Sequence, residues 1–257
     1  MEFKLGEFFC GPGGIALGAI NTPSVFNENG VKFNIKPNWA SDYDLDTCKT
    51  YGLNIHNDEN SKHVFHQDVK KLDIDSLPGC DAFAFGFPCN DFSIVGESKG
   101  LDGDYGPLYT YGIEYLKAHQ PMWFVAENVS GLSSSNSGEA FKLILDTMKK
   151  VGYQITPHLY KFEQYSVPQS RHRILIVGIR KDLKVQYKIP KQTHIDNPIT
   201  AKESLTNPPI TSDADNHIYT AQSKKVIERL KWIKPGDNAW SEDIPKHLRL
   251  NVKGAKL

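Results

Sequence analysis

The sequence has no apolar run long enough to span a bilayer, and its amino terminus passes quickly into a Gly-rich turn. A membrane helix needs about 20 apolar residues in succession, and a signal peptide needs an apolar stretch behind basic residues. Neither pattern occurs, so the reading is a cytoplasmic chain with no membrane partner. Cysteine is scarce too. Cys10, Cys48, Cys80 and Cys89 form no Cys-x-x-Cys pair, which excludes a disulfide framework and zinc spacing and leaves reduced thiols. Nine histidines include His56, His63 and His66 but no His-Glu-x-x-His, so no metal is expected. There is no internal repeat and no low-complexity tract.

An excess of charge is missing as well, since 30 Lys/Arg balance 30 Asp/Glu. The distribution is uneven. From Arg180 to Leu257 there are 15 basic and 9 acidic residues, a net of +6, which leaves −6 on the first 179. An acidic body with a basic tail suits a polyanion held mainly by the tail. The 257 residues, 39% hydrophobic and 23% charged, fit one large domain or one domain with a small appendage.

The pattern that is present alternates strands and helices. Lys4 to Phe9 reads as a strand, Cys10-Gly11-Pro12-Gly13-Gly14 as a tight turn, and Ile15 to Ile20 as the start of a helix. This layout brings backbone amides and a helix amino end close to a nucleotide-like ligand. Asn38 to Tyr43 ends a second strand, with Asp42 where doubly wound folds reach ribose hydroxyls and Tyr43 beside it able to stack on adenine. Asp44 to Tyr51 is helical. His66 to Val69 ends a third strand and brings Asp68 to the same edge. Asp81 to Phe85 is an apolar run of the kind buried in parallel sheets, and Gly86 and Pro88 break it. Cys89 follows, stiffened by the proline before it. Ser93 to Pro107 is a long connection rich in Gly, Ser and Asp, of the kind that binds or covers a ligand. Leu108 to His119 is helical, and Met122 to Ala126 is a fifth strand ending in Glu127-Asn128-Val129. Gly138 to Val151 is a helix with Phe141, Leu143, Ile144, Leu145 and Met148 as its core face. Tyr153–Tyr160 and Arg173–Ile179 are strands separated by Pro168-Gln169-Ser170-Arg171-His172, and Arg171 and Arg173, two apart on an extended stretch, point the same way. Beyond Lys181 only Val226 to Ile233 reads as a convincing helix.

A free cysteine is among the most buried residue types, so Pro88-Cys89 alone is a thiol in a turn. Its companions change that. The Phe8–Gly14 turn, Asp42-Tyr43, Asp68, Pro88-Cys89, Glu127-Asn128-Val129 and Gln169-x-Arg171-x-Arg173, in this order and spacing, resemble the DNA cytosine-5 methyltransferases over about residues 3–180. The resemblance implies an α/β fold, a doubly wound and mostly parallel seven-stranded S-adenosylmethionine-dependent methyltransferase sheet. It implies a catalytic domain over 1–188 and the start of a target-recognition region over 189–257. It implies that Phe8, Cys10, Gly11, Pro12, Gly13, Gly14, Asp42, Tyr43, Asp68, Val69, Gly86, Pro88 and Leu108 hold S-adenosyl-L-methionine. Cys89 would be the nucleophile, Glu127 would hold N3 and the amino group of a flipped cytosine, Arg173 would reach O2, and Arg171 would support the nucleophile's surroundings. Double-stranded DNA is the implied partner.

The chain departs from the family in three places, the first being the Cys10-Gly11-Pro12-Gly13-Gly14 turn, a variant of the first motif still expected to bind cofactor. Asn90 follows the cysteine where Gln is usual. The closing Gln-x-Gly-Asn stretch does not occur before Leu257, which implies a shortened chain or one half of a split enzyme completed by a second polypeptide. In either case an exposed docking face near the first strand is expected. A transfer RNA cytosine-5 methyltransferase would carry Cys-Phe-Thr after its catalytic motif, and that triplet is missing. The reading from another class is a catalytically silent DNA-binding subunit.

Overall fold

The computed structural model describes residues 1–23, 25–26, 28–88, 108–133, 138–214, 218 and 220–250. Cys89 and the connection Ser93–Pro107 lie outside the described residues. The chain divides into two compact units, Met1–Thr200 and Ala201–Leu257.

The first unit is built on one mixed sheet. Its strands are β1 (Glu2–Phe8), β2 (Val25–Phe26), β3 (Lys32–Asp42), β4 (Val64–His66), β5 (Ala82–Phe85), β6 (Trp123–Val129), β7 (Tyr153–Lys161) and β8 (His172–Arg180). The main order is β3-β1-β5-β6-β8-β7, with β4 parallel to the end of β3 and the two-residue β2 antiparallel to its start. β1, β3, β4, β5 and β6 pair in parallel, so their carboxyl ends share one edge. β8 runs antiparallel to β6, and its amino end therefore arrives at that same edge, with Arg173 opposite Val129. From β1 the chain moves one way to β3 and β4 and then returns past β1 to β5 and β6 on its other side, and such a switch point opens a crevice at the strand ends.

The helices are α1 (Gly14–Asn21), α2 (Leu45–His56), α3 (Tyr109–His119) and α4 (Glu139–Lys150). Asp44 caps α2, accepting from the Thr47 amide at 2.7 Å, and Asn57 ends it in the left-handed conformation; short polar side chains suit both positions. α4 buries Ala140, Ile144 and Met148, with Phe141 and Leu145 packed beside them. Leu143, expected on that face, is 48% exposed. It follows Ala140 by three residues and sits on the far side of the stripe that Ala140, Ile144 and Met148 define at four-residue spacing.

The core is aromatic. Phe8, Trp39, Phe83 and Tyr115 meet with ring centroids 4.3–6.2 Å apart, a range that favours edge and offset contacts. Because β5 is flanked by β1 and β6 and covered on both faces, all four residues of Ala82–Phe85 are buried. Opposite the carboxyl edge, Phe3, Ala19, Val25, Phe33, Ile35 and Trp123 line an apolar groove of about 170 Å³.

The second unit holds α5 (Ala201–Thr206) and α6 (Lys224–Leu230), the latter capped by Ser223. Arg229 donates to the Leu248 carbonyl and Arg249 to the carbonyls of Glu242 and Ile244. Ile244 and Leu248 are buried. Among the described residues no helix is long and apolar enough to cross a membrane.

Candidate active site

The cleft at the carboxyl edge has a volume of about 260 Å³ and is lined by Phe8, Phe9, Ser41, Asp42, Tyr43, Gln67, Asp68, Val69, Lys70, Pro88 and Leu108. Four strand ends bring these residues together, because the parallel register sets Phe8 beside Ser41 and Phe85 and sets Asp42 beside His66. Seven of the residues anticipated for cofactor binding line it: Phe8, Asp42, Tyr43, Asp68, Val69, Pro88 and Leu108. Phe9, Ser41, Gln67 and Lys70 were not anticipated.

Asp42 organises the cleft as well as lining it. One carboxylate oxygen accepts from the Gly11 amide at 3.0 Å and the other from the Asp44 amide at 3.2 Å. A carboxylate offers about four lone-pair positions, so two bonds leave it capacity to accept more. Asp68 caps the short turn after β4 and accepts from the Lys70 amide at 3.0 Å. Tyr43 is 75% exposed at the rim, and its carbonyl is held 3.1 Å from the His66 ring nitrogen. Phe8 spends most of its surface on the core, whereas Phe9, at φ 52, turns the chain at the cleft wall. Nothing in the sequence marks that torsion, since phenylalanine seldom adopts a positive φ.

Cys10, Gly11, Pro12, Gly13 and Gly14 form the turn behind the wall and do not line the cleft themselves. Cys10 is buried with Ala16, Ala40 and Tyr51. Burial, with Asp42 and Glu7 nearby, pushes its thiol far above the usual range. Burial also raises Cys48, and raises Cys80 to about 11. None of these three thiols is tuned toward the thiolate that a nucleophile requires.

The second cluster lies at the ends of β5, β6 and β8. Arg173 Nε is 2.8 Å from Glu127 Oε1, and a terminal nitrogen of Arg171 is 3.7 Å from the same oxygen. The antiparallel register produces this. Glu127 faces Leu175, so Arg173 is its diagonal neighbour on the same face. Gly86 sits against Glu127, about 3.5 Å from its carboxylate to where a Cβ would stand. Asn128, fully buried, donates to the Phe87 carbonyl at 3.1 Å and accepts from the Val129 amide at 2.9 Å. It ties the end of β6 to the Phe87-Pro88 turn, a role that the sequence reading did not assign it. Glu127, Arg171 and Arg173 thus stand together beside that turn, as anticipated, while Cys89 lies outside the described residues. Among the described residues no cluster of three His, Cys, Asp or Glu could hold a metal ion.

The family description for C-5 cytosine-specific DNA methylases matches residues 3–256. The chain belongs to that family. The Type II methyltransferase M.BbvI of Brevibacillus brevis is 51% identical over 264 residues, covering 100% of this chain and 70% of its own length. M.NgoFVII of Neisseria gonorrhoeae is 32% identical, covering 98% of this chain and 64% of its own length. Among solved structures, a prophage-encoded DNA modification methyltransferase from E. coli superposes with a TM-score of 0.60 at 23% identity, over 88% of this chain and 63% of that one; this likeness concerns the fold. The doubly wound sheet expected for the methylase family is thus the one observed. The chain spans about two thirds of the length of these relatives.

Proposed function

We propose that this chain methylates C5 of cytosine in double-stranded DNA, with S-adenosylmethionine as donor, as the modification enzyme of a Type II restriction system in the cytoplasm of a prokaryotic or phage-infected cell. The observation that carries the proposal is the cluster of Glu127, Arg173 and the Phe87-Pro88 turn beside a cleft of nucleoside size. The Type II names of M.BbvI and M.NgoFVII support the biological setting. They lend no support to a second polypeptide, since M.BbvI carries its further length in the same chain.

The donor set of the cleft fits the cofactor. Phe9, Tyr43, Pro88 and Leu108 supply flat or apolar walls, and Asp42 and Asp68 supply acceptors for ribose hydroxyls and an adenine amino group. The Gly11–Gly14 turn backs the methionine end. When bound, S-adenosylmethionine supplies an electrophilic methyl group at the edge of the sheet. Cys89 does the activating chemistry on the base, because cytosine C5 is a poor nucleophile. Its thiolate bonds to C6, which makes C5 an enamine carbon able to take the methyl group. Negative charge builds on the ring during addition; Glu127 donates at N3 and holds the amino group, and Arg173 meets it at O2. Arg171 keeps the surroundings positive. Loss of the C5 proton to solvent then lets the Cys89 sulfur depart. A stacked base is out of reach of these groups, so the target cytosine is extruded.

Incubation with methyl-labelled S-adenosylmethionine and DNA of mixed sequence tests this. Label at C5 of cytosine in the parent protein and none with Cys89→Ala is the expected result. Transfer unaffected by Cys89→Ala would overturn the mechanism.

A further inference from the structure

Glu7 lies on β1 one residue before the cleft, yet it takes no part in the chemistry above. It is 1% exposed, flanked in the sheet by Ala40 and Ala84. Its carboxylate accepts from Tyr51 of α2, whose hydroxyl donates at 2.6 Å across 44 residues of sequence. Tyr51 is 0% exposed. Its ring also meets the glycine turn: a Cβ at Gly13, where φ is 96°, would stand 3.1 Å from Tyr51 and 3.1 Å from Ile55. Cys10, Ala16 and Ala40 close the same cluster. Tyr51 is thus pinned at its hydroxyl by the first strand and at its ring by the turn. Its helix is capped by Asp44, two residues after Asp42, and Asp42 itself accepts from the Gly11 amide.

We propose that Glu7 and Tyr51 are a positioning pair that locks helix α2 to the glycine turn and so sets the affinity of the cleft for the nucleoside cofactor. This rests on the reading of the cleft as the S-adenosylmethionine site. The cleft is walled on one side by Phe8 and Phe9, which lead into the turn, and on another by Asp42 and Tyr43 at the head of α2, and the pair joins them.

The pair is also sensitive to pH. The groups facing Glu7 are Tyr51 from α2 and Cys10 from the turn. Gly14–Asn21 of α1 and Ala82–Phe85 of β5 offer no titratable side chain, and among the described residues no Lys, Arg or His forms an ion pair with Glu7. Burial, opposed in part by the Tyr51 bond, raises its carboxyl to about 7. Ionised Glu7 accepts the stronger, charge-assisted bond and favours a sulfonium cation nearby, so cofactor affinity rises from pH 6 to pH 8.

Two measurements on the full chain test this. The first is calorimetric titration with S-adenosylmethionine at pH 6, 7 and 8. Tyr51→Phe is expected to weaken binding about tenfold at pH 8, and Glu7→Gln, which keeps size and an acceptor, to flatten the pH profile. Affinity within twofold of the parent in Tyr51→Phe, or an unchanged profile in Glu7→Gln, would overturn the pair. The second is hydrogen exchange without cofactor at the Gly11, Gly13 and Leu17 amides, which bond Asp42, Cys10 and Gly13. Tyr51→Phe is expected to speed exchange there about tenfold, and unchanged exchange would overturn the pair. A parent protein that binds no S-adenosylmethionine overturns the cofactor reading instead, and the exchange result then decides the pair alone.

Discussion

Glu127 and Arg173 form an ion pair that neither strand makes alone, and the proposed chemistry needs both. Glu127→Gln keeps the shape of the site and a hydrogen-bonding amide but loses the carboxyl that takes up and gives a proton at N3. Steady-state methylation is expected to fall by about 10² or more, with DNA affinity by gel shift unchanged; full activity would remove Glu127 from the mechanism. At Glu7 the expectation concerns stability. Its carboxyl is raised from 4.5 to about 7 by burial, so the folded state holds a proton that the unfolded chain releases. Its stabilisation is full below about pH 4.5 and is lost as pH rises through 7, about 3 kcal/mol in all. Glu7→Gln removes this loss, so urea unfolding at pH 5.5 and 8 is expected to show a smaller drop for the variant than for the parent. Residue types and spacing made Asp42, Asp68, Glu127, Arg171 and Arg173 legible, because each sits at the end of an apolar strand or in a motif. Phe9, Asn128 and Tyr51 were not legible. Their roles depend on a positive φ, a bond to a carbonyl 41 residues away and a bond across 44 residues, and none of these has a local signature.

The elements are short strands whose ends do the positioning, and their packing tolerates little. On β8, a Cβ at Gly178 would stand 2.0 Å from the ring of Phe124, which is boxed in by Phe85 and Tyr153. Gly178→Ala is therefore expected to destabilise by about 1–3 kcal/mol or more, read as a lowered melting temperature. At the other end of the same strand pair, Asn128→Ala removes the tie to the Phe87 carbonyl. A loss of about 1–3 kcal/mol is expected from the carbonyl and amide left unpaired, together with a fall in turnover that the stability loss does not explain, since the Pro88 turn is no longer held against Glu127. Melting curves set beside single-turnover rates separate the two effects. The five parallel strands and four large helices were legible from apolar runs and four-residue spacing. The two-residue β2 is too short to carry any period, and Leu143 misled because a leucine reads as core wherever it stands in a helix.

At the scale of the whole molecule, the sheet order explains why one edge gathers the described residues of the proposed site. Five parallel strands deliver Phe8, Asp42, His66, Phe85 and Glu127 to it, and β8, antiparallel to β6, delivers Arg173. The pattern of strands and helices made that edge legible before any coordinate. The basic excess beyond Arg180, in contrast, specifies no particular fold, and only Val226 to Ile233 was recognisable there as a helix, which the structure places at Lys224–Leu230. Because that region carries the net +6 charge, DNA affinity is expected to fall steeply with salt, measured as the slope of log affinity against log salt; a flat slope would contradict the assignment of DNA to the tail.

The central claim is that Cys89 bonds covalently to a cytosine held by Glu127 and Arg173. Fluorine at C5 blocks the proton loss that frees the sulfur, so DNA containing 5-fluorocytosine, incubated with the protein and S-adenosylmethionine, is expected to give a denaturation-resistant adduct. Mass spectrometry of its peptides should place the adduct at Cys89. An adduct formed equally well by Cys89→Ala, or none from a parent protein that methylates ordinary DNA, would contradict the account.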